Sequence, residues 1–95
     1  MYSRLGYNLL VAGKDREAAG YYEKALAISA SGIDYYNLAC AYAKANDADK
    51  ALKALNASLQ HGYGTKHQIE ADSDFNLIRS NENYKAFMKR LAEAK

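Results

Sequence analysis

The sequence contains no proline and no tryptophan, and it has a single cysteine among 95 residues. With no proline and no long glycine or serine run, the chain carries no flexible linker and no low-complexity tail. One cysteine excludes an internal disulfide and leaves the redox compartment open. The sequence slightly favours a cytoplasmic location. It does no more than that, because a domain cut from a longer protein would lack the targeting signal of that protein.

Long apolar runs and blocks of like charge are also missing. No run approaches the roughly 20 apolar residues that a membrane-spanning helix needs, and no signal-like segment follows Met1, so membrane insertion is not expected. The formal net charge is +2, with lysines and arginines interspersed among acids. Nucleic-acid binding usually requires a concentrated basic face. The sequence therefore argues against a nucleic-acid partner.

Tyrosine and alanine dominate what is present, with nine tyrosines against two phenylalanines. The length indicates one small domain. Apolar residues recur at spacings of three and four, which is typical of amphipathic helices. On the first helix, from Tyr2 to Ala12, this spacing predicts an inner stripe of Tyr2, Leu5, Gly6 and Leu9. An all-α fold follows from the same spacing along the rest of the chain.

The helical pattern repeats at an offset of 33 residues. The offset relates Gly13 to Asn46, and both suit the left-handed end of a helix. Other pairs at the same offset are Tyr2 and Tyr35, Leu5 and Leu38, Ala18 and Ala51, and Tyr22 and Leu55. Several independent pairs at one offset are a strong repeat signal.

These positions resemble the tetratricopeptide repeat family. In the first copy the resemblance is carried by Tyr2, Leu5, Gly6, Gly13, Ala18, Tyr22 and Ala25. In the second copy it is carried by Tyr35, Leu38, Ala39, Tyr42, Ala51 and Leu55. Leu9, Ala30 and Ser58 depart from the family pattern. The resemblance implies an α-α superhelix of helix-turn-helix repeats.

Residues 63–95 do not repeat the unit. They predict a short helix over Lys66–Ala71, a single turn over Phe75–Ile78 and a last helix capped by Asn81. Tyr84, Phe87, Met88 and Leu91 form the apolar stripe of that last helix. The segment resembles the tail that closes short bacterial tetratricopeptide domains, and we expect it to cover the apolar face of the helix over 48–59.

The predicted organisation is thus a single domain over 1–95, with all-α architecture. Repeat one covers 1–30, repeat two covers 33–62, and C-terminal capping helices cover 65–94.

The family resemblance implies a peptide-binding groove along the first helix of each repeat. The residues carried over are Tyr7, Leu10, Val11, Tyr36, Asn37, Cys40 and Lys44. Apolar side chains of a peptide would enter the groove, while Asn37 would bind the peptide backbone and Lys44 a carboxylate. The alternative is that the tail, an upstream helix or a second copy covers this patch. One subgroup of the family binds the terminal carboxylate of a peptide through several lysine, arginine and asparagine residues in this groove. Only Asn37 matches such a residue well, so this subgroup is excluded.

Catalytic and metal sites are not predicted. The segment Asp72–Asn76 resembles the start of a calcium loop, but Leu77 stands where the turn needs glycine. We interpret Asp72 and Asp74 as caps of a helical turn that pair with Arg79. Cys40, His61 and His67 have poor spacing for a zinc site or a thiol enzyme, and no cofactor motif is present.

Three functional hypotheses follow. The leading one is a non-enzymatic module that binds a peptide or protein through the first and third helices. The alternative is a structural terminal segment of a longer repeat protein, or a weak homodimer formed through the same apolar face. A metal-dependent or thiol enzyme is the least favoured reading.

Overall fold

A computed structural model describes residues 1–93 of the chain, and this part consists of helices and their connections. Five longer helices and two short ones follow each other without a strand in the described part. They are α1 (Tyr2–Val11), α2 (Asp15–Ile28), α3 (Gly32–Lys44), α4 (Ala48–Gln60), α5 (Lys66–Ala71), the 3₁₀ helix (Ser73–Ile78) and α6 (Glu82–Glu93). The all-α prediction is confirmed, whereas the predicted end of the cap at residue 94 lies outside the described residues.

The first four helices form two helix-turn-helix hairpins related by the 33-residue offset. Gly13 has φ +82° and Asn46 has φ 62°, so both turns use the left-handed region at equivalent positions. The N–H of Lys14 donates to the carbonyl of Leu9, and that of Asp47 donates to Tyr42, both at 2.9 Å. These equivalent bonds close both helices, as expected for a left-handed C-terminal cap.

Small residues allow the helices of the hairpins to approach closely. Ala18, Ala39 and Ala51 are completely buried. A Cβ added to Gly6 would lie 3.0 Å from the buried ring of Tyr22, so Gly6 permits the close approach that its position predicts. The predicted inner stripe of α1 is wrong at Leu5, which is 44% exposed, because α1 turns Gly6 and Leu10 towards the core instead.

Ser58 stands where the repeat pattern favours alanine, and the fold gives a reason. Its hydroxyl is fully buried and lies 2.8 Å from the carbonyl oxygen of Gly32 and 2.9 Å from that of Tyr63. The side chain therefore ties α4 to the start of α3 and to the loop that leaves the second hairpin.

The tail is built from short, individually capped helices. Thr65 accepts a bond from the N–H of Gln68, Asp72 from that of Asp74, and Asn81 from those of Asn83 and Tyr84. The bounds of α5 and the cap at Asn81 match their predictions. The α6 helix packs on α4, as expected, but the 3₁₀ helix packs on α3 more extensively.

No helix within residues 1–93 combines the length and the apolar character that crossing a bilayer would require.

Candidate binding surface

The 3₁₀ helix covers the part of the predicted groove that α3 contributes. Tyr36 is 5% exposed, and its hydroxyl donates to Oδ2 of Asp72 at 2.7 Å. Its ring meets those of Phe75 and Tyr63 edge-on, with centroids 5.7 and 5.5 Å apart. Burial and the Asp72 carboxylate raise the pKa of Tyr36. Tyr36 therefore fastens the tail to α3 and is not available to a peptide in this arrangement.

Cys40 lies beneath the same segment. It is buried, and its Sγ is 3.9 Å from Oδ2 of Asp72. Burial, followed by the charges of Asp72 and Asp74, raises the pKa of the Cys40 thiol. The protonated thiol thus persists at neutral pH, unlike the thiolate that a nucleophilic cysteine needs.

Sulfur and carboxylate oxygens of Cys40, Asp72 and Asp74 lie within 4.8 Å of one another. Asp72 uses one oxygen to cap the 3₁₀ helix and the other to accept the Tyr36 hydroxyl. Arg79 donates to the carbonyl oxygen of Asp72 at 2.6 Å. The predicted capping role is confirmed for Asp72, whereas Asp74 lies in the first turn of the 3₁₀ helix and donates its N–H to that cap. Arg79 reaches the main-chain oxygen of Asp72 instead of its carboxylate.

Lys44 joins the two predicted groove helices. Its Nζ donates to the carbonyl oxygen of Leu10 at 3.1 Å and lies 3.6 Å from Oδ1 of Asp15. Leu10 itself is 5% exposed, and Asn37 is half-buried. Lys44 closes the C-terminal end of α1, so its charge is already partly compensated within the chain.

Tyr7 and Val11 remain open on α1, with 56% and 68% of their surface exposed. They lie one turn apart on the same side of the helix. The seven predicted residues therefore divide into two exposed residues on α1, the half-buried Asn37, and four buried or engaged residues, which are Leu10, Tyr36, Cys40 and Lys44. Because Leu10 and Tyr36 are buried, charged substitutions there would disturb folding, so a loss of binding in such variants would not locate the binding site.

Two clefts beside α4 were missed from sequence. One of about 550 Å³ lies between α4 and α6. The other, of about 340 Å³, lies among α2, α3 and α4. It is lined by Glu23, Tyr35, Leu38, Tyr42, Lys50, Lys53, Ala54 and Ala57. The sequence feature that could have indicated this cleft is the pair of small side chains at Ala54 and Ala57, because the first hairpin carries the larger Tyr21 and Lys24 at the equivalent positions.

Comparison with known proteins gives one distant likeness to report. No family model matches the chain, and no solved structure matches it. The chain is 28% identical over 95 residues to a chloroplastic protein of Arabidopsis thaliana. The alignment covers 96% of this chain and 28% of that protein, so the chain spans less than a third of its relative's length.

Proposed function

We propose that this chain is a protein-interaction module of the tetratricopeptide type, and that α1 binds an acidic peptide with apolar side chains. The 33-residue repeat and the equivalent left-handed turns at Gly13 and Asn46 support the family assignment. The binding surface consists of Tyr7 and Val11 with their neighbours on α1.

The exposure of Tyr7 and Val11 carries the proposal. Their equivalents in the second hairpin are Cys40, which is covered by the tail, and Lys44, which is tied to α1. An exposed aromatic and an aliphatic side chain one turn apart, with polar neighbours, are typical of a surface that a partner covers. The groove proposed from the sequence is accordingly reduced to its α1 half.

Charge supports an acidic partner. Residues 1–14 contain Arg4 and Lys14 and no aspartate or glutamate. Neither cation forms an ion pair within residues 1–93. Complementary charge at the rim of an interface favours the correct partner and speeds its association.

Selection from a random peptide library against the native chain tests this function. We expect selected peptides to combine aspartate or glutamate with apolar residues. Fluorescence anisotropy should show that their affinity falls about tenfold or more, equivalent to about 1.4 kcal/mol, in a Tyr7→Ser/Val11→Ser variant.

Leu5→Ser provides the matched control, because Leu5 is also exposed but occupies another side of α1. This variant should bind as the native chain does. Equal binding by the native chain and the Tyr7→Ser/Val11→Ser variant would contradict the α1 site, and a selection that returns basic peptides would contradict the charge argument.

A structural role is the second candidate, supported by a different face of α1. Leu38 is 7% exposed on the side of α3 that lines the cleft with Glu23 of α2, whereas its equivalent Leu5 is 44% exposed. A further helical hairpin would cover Leu5 as α2 covers Leu38. The similarity to one segment of a longer protein is compatible with this role.

Extending the stack tests the structural role. A second copy of residues 1–33 would be fused directly ahead of Met1, which keeps the 33-residue register. The Tm should rise, because each added repeat contributes an interface with its neighbour. Leu5→Lys in the original copy should cancel the rise, and an unchanged Tm in the fused chain would contradict this role.

A further inference from the structure

The cleft among α2, α3 and α4 lies on the other side of α3 from Tyr36 and Cys40. Leu38 and Tyr42 of α3 and Ala54 of α4 form its floor, and these three residues are at most 9% exposed. Tyr35 and Ala57 continue the apolar lining. The volume of about 340 Å³ is at the small end of the range of about 300–1,000 Å³ typical of small-molecule sites.

We propose that this cleft binds a small amphiphile, with an aromatic or alkyl body on the apolar floor and an anionic head at Lys50 and Lys53. The proposal concerns a free small molecule and does not rest on the peptide-binding function of α1. Its ligand class follows from the floor, the rim and the size of the cleft together.

The two lysines are the free charges of the rim. Lys50 and Lys53 lie three residues apart on α4, so they occupy neighbouring positions on one face. Within residues 1–93, neither Nζ forms an ion pair with a carboxylate. Lys50 lies above the ring of Tyr42, with Nζ 5.4 Å from the ring centroid. An anionic head would supply the partner that both cations lack in the described chain.

The carboxylate that lines the cleft already has a hydrogen-bond partner within it. Glu23 accepts a hydrogen bond from the hydroxyl of Tyr42. This bond holds Glu23 against the edge of the Tyr42 ring and satisfies the phenol, which would otherwise be buried without an acceptor. The cleft therefore offers a hydrogen-bonded acid at one side and two unpaired cations at the other, which orients an amphiphile with its head towards α4.

Comparison of the two hairpins shows that repeat geometry alone does not create this cleft. At the positions of Ala54 and Ala57 the first hairpin carries Tyr21 and Lys24, which are bulkier. At the positions of Lys50 and Lys53 it carries Glu17 and Gly20. The second hairpin thus combines small floor residues with two rim cations, whereas the first has bulky floor residues and no cation at the two rim positions.

Titration with 1-anilinonaphthalene-8-sulfonate tests the proposal, because this probe carries an aromatic body and one sulfonate. The native chain should bind one equivalent saturably, with enhanced fluorescence and an unchanged near-UV circular dichroism spectrum. N-phenyl-1-naphthylamine, which has the same body without the sulfonate, should bind at least about tenfold more weakly, a loss of about 1.4 kcal/mol.

Two variants separate the floor from the rim. Ala57→Leu should abolish binding of the sulfonate probe by filling the cleft. Lys50→Met/Lys53→Met should weaken it about tenfold or more and bring its affinity close to that of the neutral probe. Lys85→Met, which removes one cation from α6, is the charge control and should bind as the native chain does.

The outcomes that overturn the proposal are equally specific. They are no saturable binding by the native chain, undiminished binding by folded Ala57→Leu, or equal affinity of the native and double-lysine variants for the sulfonate probe. Decanoate should displace the probe from the native chain, and failure to do so would overturn the alkyl part of the ligand class.

Discussion

At the residue scale, Tyr22 and Tyr36 are two buried phenols with opposite hydrogen-bonding states. The hydroxyl of Tyr22 has no partner within residues 1–93. The hydroxyl of Tyr36 donates to Asp72. Since an unsatisfied buried polar group costs free energy while a satisfied one stabilises modestly, removing the two hydroxyls should have different effects.

We expect Tyr22→Phe to leave the free energy of unfolding unchanged or to increase it. Tyr36→Phe should lower it by about 1–3 kcal/mol, because the Asp72 carboxylate loses its donor. Urea unfolding followed by circular dichroism measures both. A larger loss for Tyr22→Phe than for Tyr36→Phe would contradict the assignment of partners.

The tyrosines also predict a loss of stability at alkaline pH. Burial, followed by the charge of Asp34, raises the pKa of Tyr22 to about 12. Burial and the bond to Glu23 raise the pKa of Tyr42 to about 12. Since unfolded tyrosine titrates near about 10, their contribution to stability is complete below that pH. It is lost as the pH rises from about 10 to about 12, because the unfolded chain releases its protons first.

The measurement is the free energy of unfolding at a series of pH values across this window. Tyr22→Phe should reduce the alkaline slope, while Tyr42, Tyr36 and Cys40 should preserve part of it. A slope identical to that of the native chain would contradict the raised pKa of Tyr22.

At this scale, the sequence predicted which residues occupy groove positions but not which of them are buried. Tyr36 and Cys40 lie at positions that line the groove in the family pattern, and the prediction used that pattern. Their burial depends on Asp72 and Phe75, which follow Tyr36 by more than 30 residues. No periodicity within α3 encodes a contact with a segment so distant in the chain.

At the scale of single elements, the turn of the second hairpin depends on a non-glycine residue with positive φ. Asn46 adopts φ 62°, where asparagine is tolerated better than most residues and glycine best of all. The first hairpin uses Gly13 at the same place. The two turns therefore provide an internal comparison of the residues that end these helices.

Asn46→Gly should change the stability by no more than a few tenths of a kcal/mol. Asn46→Ala should cost about 1 kcal/mol or more, because alanine lacks the local hydrogen bonding that eases the left-handed conformation. Thermal unfolding of the two variants side by side measures the difference. Equal stability of the two would mean that the turn relaxes to another conformation.

Helices and caps were the most predictable features because their signals are local. The bounds of α5, the cap at Asn81 and the turns at Gly13 and Asn46 each depend on a few neighbouring residues. The 3₁₀ helix was predicted as a single turn, but the tail was expected to pack on the helix over 48–59, whereas this part of it packs on α3. Phe75 and Ile78 are apolar and fully or almost fully buried, and their sequence does not state which helix buries them.

At the scale of the whole molecule, the tail packs against both helices of the second hairpin. The 3₁₀ helix covers α3, and α6 places Phe87 and Met88 in the core. Isolated helices of this length are marginal in water. The chain should therefore unfold as one cooperative unit.

Deletion of residues 80–95 should abolish the sharp thermal transition and increase the reactivity of Cys40 with a thiol reagent. The native thiol should react slowly, because it is 2% exposed and carries a raised pKa. The transition is followed by circular dichroism and the thiol by titration with a disulfide reagent. A truncated chain that melts sharply with a protected Cys40 would show that α6 is dispensable.

The overall architecture was predictable because the 33-residue offset fixes both hairpins at once. Coverage of the groove by the tail was stated only as an alternative, and the clefts beside α4 were not predicted. Both depend on how residues of separate helices come to border common spaces, such as Lys53 of α4 with Arg90 of α6 and Ala57 of α4 with Tyr35 of α3. Such spaces arise from the packing of several helices, and the sequence of one helix does not predict them.

The unequal ends of the stack limit how the molecule can assemble. Identical hairpins with two open ends could polymerise indefinitely, each unit offering a surface for the next. Here the tail occupies one side of the second hairpin, while Leu5 leaves a face of the first hairpin open. Under the structural role proposed above, an assembly formed through that face would stop after a single addition, so this chain would terminate a filament instead of propagating one.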